Sequence, residues 1–117
     1  MNEKIFRKVC KLSDLRDRVG RRFLISSSDN PSDEVEVALF KVDDEVYALS
    51  NICPHQHTAL IYDGFIEKNC VVCPAHGWMF ELNTGNQPTG AKGLDVFPVK
   101  IENGEVYVAA YSKKFNW

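Results

Sequence analysis

Apolar and polar residues alternate in short runs along most of the chain, with a period of two rather than the 3.6 of an amphipathic helix. Residues 5–9 (IFRKV), 21–26 (RRFLIS), 35–42 (VEVALFKV) and 46–50 (VYALS) each suit a strand. The polar run SSSDNPSDE separates the second from the third, and DDE turns the chain between the third and fourth. Further on, DVFPVKI and EVYVAA flank Glu102-Asn103-Gly104, where Asn-Gly favours a positive-φ hairpin turn. Helical signal is slight. LSDLRDRVG offers an N-cap at Ser13, but Gly20 closes it within two turns, so a turn or a short helical turn is expected.

Short strands divided by turn residues predict an all-β fold, an antiparallel β sandwich or barrel. A chain of 117 residues suits one domain, 1–117, with one apolar core. Residues 51–90 start directly after a strand and carry turn signals of their own at Asp63-Gly64 and Thr84-Gly85. This stretch reads as a subdomain inserted between framework strands.

Composition narrows the function classes. Hydrophobic residues at 44% and charged residues at 26% describe a folded globule. A net charge of −2 does not favour polyanions, which argues against nucleic acid or anionic lipid as a partner. No run is long and apolar enough for a membrane span, and the N-terminal MNEKIFRKVCKLSDL has no signal-peptide core. A cytoplasmic address is expected. There, the four cysteines serve better as metal ligands or buried thiols than as disulfide partners.

Three of those cysteines and all three histidines fall within residues 51–80, NICPHQHTALIYDGFIEKNCVVCPAHGWMF. Two groups stand out, Cys53-Pro54-His55 and Cys73-Pro74-Ala75-His76, with seventeen residues between His55 and Cys73. Each offers one thiolate and one imidazole. Zinc accepts two of each, but its structural sites usually pair cysteine with cysteine and histidine with histidine along the chain.

C-x-H followed at this distance by C-x-x-H resembles the Rieske iron–sulfur family. The prolines after both cysteines, Leu60, Asp63-Gly64, Gly77, Phe80 and Gly85 resemble it too, and the likeness covers essentially the whole chain. It implies one [2Fe–2S] cluster per chain, with Cys53 and Cys73 on one iron and His55 and His76 on the other. Prolines 54 and 74 would stiffen the two ligand loops, and glycines 64, 77 and 85 would let backbone fold tightly around them.

Replacing two thiolates by imidazoles removes negative charge from the cluster and raises its potential into a range of roughly −150 to +300 mV. High-potential members carry two hydroxyl side chains near the cluster and a disulfide between the loops. Here the aligned positions hold Trp78 and Phe80, and Thr58 and Ala75. Both substitutions imply a low-potential, ferredoxin-type centre.

The other soft side chains read more plainly. Cys70-Val71-Val72-Cys73 has the spacing of a redox pair, but in a strand residues three apart point to opposite faces, so Cys70 reads as a core thiol. Cys10 reads the same way. His57 stands where the family usually has Gly. It reads as an exposed residue without a role or, more sharply, as a titratable charge beside the cluster. Trp78, Phe80, Phe65 and Tyr62 read as core or cluster-covering residues.

Counting argues against a complete oxygenase in a single chain with these parts, which reads as an electron carrier or a subunit of a multicomponent oxidoreductase. After the cluster takes two histidines only His57 is left, too few for a mononuclear iron of the 2-His-1-carboxylate type, and no dinucleotide-binding G-x-G-x-x-G follows a strand. The resemblance implies a monomeric Rieske ferredoxin that takes single electrons from a flavin reductase to a terminal oxygenase. Two alternatives are the small Rieske-type subunit of an NAD(P)H-dependent nitrite reductase, which the HGW triplet favours slightly, and a zinc-stabilised interaction module.

Overall fold

The structure, a computed structural model, describes residues 6–26, 34–52, 60–74, 77–88 and 93–110. Its ten strands among these residues are β1 (Arg7–Lys11), β2 (Arg21–Ser26), β3 (Glu34–Val42), β4 (Glu45–Ser50), β5 (Phe65–Glu67), β6 (Cys70–Val72), β7 (Met79–Glu81), β8 (Val96–Phe97), β9 (Val99–Glu102) and β10 (Glu105–Val108). Two 3₁₀ turns, Leu12–Asp14 and Ile61–Asp63, are the only helical pieces among the described residues. The mostly antiparallel β architecture expected from the sequence is the one observed.

The strands form three antiparallel sheets in the orders β1-β10-β9, β2-β3-β4-β8 and β5-β6-β7. β3 explains how they pack. Val37 and Leu39 join one apolar cluster with Cys10, Val106 and Val108 of the first sheet. Ala38, Phe40 and Val42 join a second cluster with Val71, Cys73 and Phe80 from the region of the third. Successive strand residues point to opposite faces, so β3 is apolar on both because both are covered. Val37, Ala38, Leu39 and Phe40 are all fully buried. The sheet containing β3 is thus a middle layer with a core on each side.

Three hairpins close on two-residue turns whose central residues both have positive φ: Asp43–Asp44 (50° and 68°), Lys68–Asn69 (50° and 62°) and Asn103–Gly104 (51° and 75°). Such turns match the right-handed twist of the strands they join. The last was legible as Asn-Gly. Lys68–Asn69 was not, since neither residue is a glycine.

Two expectations shift. The first strand runs from Arg7 to Lys11, with an irregularity between Lys8 and Cys10 that turns the Cys10 side chain into the core. DVFPVKI is not one strand. Pro98 lacks an N–H and interrupts the ladder, so Val96–Phe97 pairs with β4 while Val99–Glu102 pairs with β10.

Candidate metal centre

Cys73 immediately follows β6 and opens the hairpin loop that leads to β7. Its N–H donates to the Trp78 carbonyl at 2.8 Å, and its carbonyl accepts from the Gly77 N–H at 2.9 Å. These bonds fix the base of the loop carrying Cys73-Pro74-Ala75-His76. Gly77 takes φ +72°, and a Cβ there would meet nothing within 4 Å, so the glycine is required by conformation and not by crowding. Pro74 and Gly77 are exposed, whereas Cys73 is only 1% exposed.

Two aromatic residues cover this region. Phe80 is fully buried against Val71, and Trp78 packs half-buried against the same cluster. Neither side chain carries a hydroxyl, as the sequence required. Val71 and Cys73 lie in that cluster and Cys70 does not, consistent with opposite faces of the strand. Burial pushes the Cys70 thiol above its ordinary pKa, with Glu81 and Glu67 adding to the effect. Burial raises Cys10 too, followed by the effect of Asp14. Both are buried free thiols, biased toward the unreactive protonated form.

The other half of the site leaves β4 at Asn51 and returns at the 3₁₀ turn Ile61–Asp63. Asn51 is fully buried. Its backbone N–H donates to the Glu36 carbonyl (3.0 Å) and its side-chain Nδ2 to Glu36 Oε1 (3.2 Å). Its Oδ1 accepts from the Tyr62 N–H (2.8 Å) and its carbonyl from the Ile61 N–H (3.4 Å). The departing and returning strands of chain are thereby tied together. Sequence reasoning missed Asn51. The only available signal was a polar residue ending an apolar strand, two positions before Cys53.

Close backbone contacts seat the returning segment. A Cβ on Gly64 would overlap the Val72 carbonyl and stand 2.9 Å from Val71 Cγ2. Gly64 therefore lets the start of β5 lie against the end of β6, beside Cys73. Beyond the end of β7, the Gly85 N–H donates to the Glu81 carbonyl and its carbonyl accepts from the Leu94 N–H, each at 2.7 Å. Its φ of +77° and the closeness of the Leu94 carbonyl both require glycine.

Of the four expected ligands, the described residues contain Cys73. Cys53, His55 and His76 lie outside them, as do His57, Thr58 and Ala75. Among the described residues no three His, Cys, Asp or Glu side chains gather as a metal group. The donor that is described fits an iron–sulfur cluster: a soft sulfur ligand, shielded from water, at the mouth of a hairpin fixed by its own backbone.

Residues 5–109 match the family described as Rieske-like [2Fe-2S] domain. The chain belongs to that family, and its cofactor is an iron–sulfur cluster. It is 33% identical over 115 residues to ferredoxin CarAc of Metapseudomonas resinovorans, covering 97% of this chain and all of that one. In the solved complex of reduced oxygenase and oxidized ferredoxin in carbazole 1,9a-dioxygenase, one chain superimposes with a TM-score of 0.77 at 31% identity, covering 97% of this chain and 100% of that chain. The NAD(P)H nitrite reductase of Emericella nidulans is 35% identical over 94 residues, 72% of this chain but 8% of that protein.

Proposed function

We propose that the protein is a low-potential Rieske ferredoxin, a diffusible cytoplasmic monomer with one [2Fe–2S] cluster that passes single electrons from a flavin reductase to a terminal oxygenase. Cys53 and Cys73 hold one iron and His55 and His76 the other, and residues 51–90 act as the cluster-binding subdomain. When bound, the cluster supplies one-electron chemistry, tuned upward from all-cysteine clusters by its two imidazoles.

The chain's own residues do the rest. Cys73 is held by the Trp78 carbonyl and Gly77 N–H at the base of its loop. Trp78 and Phe80 exclude water and offer no hydroxyl to raise the potential further. Ile52 and Leu60, both exposed, flank residues 53–59 with apolar surface. Such a rim suits the small, quickly released interfaces of electron carriers. The buried thiols Cys10 and Cys70 suit a reducing compartment.

The observation that carries the reading is the end-to-end likeness to a ferredoxin component, joined to the C-x-H and C-x-x-H groups of this sequence. The likeness to nitrite reductase favours a second reading, the small Rieske-type subunit of such an enzyme. Anaerobic stopped-flow mixing separates them. The chemically reduced protein is expected to be reoxidised by an aromatic-ring oxygenase within seconds and to stay reduced against a sirohaem nitrite reductase. The opposite pattern selects the second reading.

A further inference from the structure

The first cluster loop is bounded by a hydrogen-bond relay that begins on the far edge of the middle sheet. Arg22 Nε on β2 pairs with Glu36 Oε1 on β3 at 2.6 Å. The same carboxylate oxygen accepts from Asn51 Nδ2, and Asn51 Oδ1 accepts from the Tyr62 N–H. Glu36 thus orients the Asn51 amide. With Nδ2 committed to a carboxylate, Oδ1 must face Tyr62, because only that oxygen can accept from an N–H. The side chains of Arg22 and Glu36 are 49% and 23% exposed, while Asn51 is fully buried, so the relay runs from solvent to the base of residues 53–59.

We infer that Asn51, oriented by Glu36, is a positioning residue for the cluster. It fixes both ends of the segment bearing Cys53 and His55 and thereby slows loss of the cluster and sets its surroundings. The inference rests on the Rieske ferredoxin reading above. Burial makes the side chain chemically specific. A carboxylate at position 51 still accepts from Tyr62 but turns an oxygen toward Glu36, and two carboxylates at that distance repel. Glutamine at position 36 removes the repulsion and supplies an N–H to that oxygen, while Arg22, half exposed and bonded to the same oxygen in the parent, turns its guanidinium to solvent. The pair Asn51→Asp with Glu36→Gln therefore reverses the direction of one hydrogen bond and restores the tie, which a residue that merely fills space would not do.

The test measures iron release to a chelator, the reduced EPR spectrum and the midpoint potential for full-length, cluster-loaded protein. A parent lacking a [2Fe–2S] spectrum would refute the ferredoxin reading itself, so the relay is judged only on a parent that has one. Asn51→Asp is expected to release iron about 10- to 100-fold faster, the usual effect of losing a partner outside the ligand set, with a shifted midpoint. Asn51→Asp/Glu36→Gln is expected to recover most of the parent's rate and its midpoint. Parent-like release from Asn51→Asp, or a double variant as leaky as the single one, overturns the inference. If Asn51→Asp does not fold, Glu36→Ala carries the test: faster release than the parent supports the role, and an unchanged rate overturns it.

Discussion

The carbonyl of Tyr62 occupies the space that a Cβ on Gly20 would need, and Phe40 Cε1 stands 2.5 Å from the same point. The segment between β1 and β2 is therefore pressed against the 3₁₀ turn Ile61–Asp63. Neither the backbone oxygen nor the buried ring can move away cheaply. Gly20→Ala is expected to destabilise the protein by about 1–3 kcal/mol, in the range of overpacked cores, and to displace Ile61–Asp63. A urea unfolding midpoint lower than the parent's checks it.

Gly77 and Gly64 should respond differently to the same substitution. At Gly77 an added Cβ meets open space and the cost is that of a left-handed conformation, about 1–2 kcal/mol. At Gly64 the Cβ would collide with the Val72 carbonyl, next to Cys73, so β5 and β6 must separate. Gly64→Ala is expected to lose more stability than Gly77→Ala and to bind less iron per chain. Parallel unfolding curves and iron assays decide.

The cysteines divide by position. Cys73→Ala is expected to abolish the visible spectrum of the cluster. Cys10→Ala and Cys70→Ala should keep it, because both thiols are buried away from Cys73, Cys10 in the apolar cluster with Val106 and Val108 and Cys70 on the opposite face of its strand. Each of the latter two removes only a small buried group. Iron content and absorbance of the three purified variants provide the check.

Alkaline pH should weaken the fold. Burial raises Cys10 and Cys70 above the ordinary thiol value of 9.0. The Tyr47 hydroxyl, donating to Glu45 at 2.6 Å, is raised above 10.0 by that bond first and by burial next. In each case the unfolded chain releases its proton at lower pH than the folded one. The folded state then binds more protons, and stability falls as pH rises. The contribution is complete below about pH 9 and is lost as pH climbs from there toward the folded-state pKa values. Urea midpoints measured in reductant should therefore drop less steeply on the alkaline side for the Cys10→Ala/Cys70→Ala protein than for the parent.

The strands most legible in sequence were those with local cues. RRFLIS matches β2 residue for residue, and Asn103-Gly104 sits at a turn with two positive φ angles. Pro98 shows what local cues obscure. DVFPVKI looks continuous in hydrophobicity, yet the missing N–H hands its two halves to different sheets. The near-continuous run Val37–Phe40 signals burial, but only the packing reveals that it divides two cores. The group around Cys73 and Gly77 stands out in the sequence because metal-ligand chemistry restricts residue type and spacing. Asn51 and Glu36 were not, since their meeting spans fifteen positions and depends on strand pairing.

EPR-monitored redox titration with sulfide analysis is the sharpest test for a mixed-ligand [2Fe–2S] cluster of low potential in this protein. Dithionite-reduced protein is expected to give a rhombic signal with average g below about 2, acid-labile sulfide, and a midpoint in roughly the lower half of the −150 to +300 mV range. A colourless, EPR-silent protein containing zinc and no labile sulfide would contradict the account, as would a midpoint well above about +150 mV for its low-potential part.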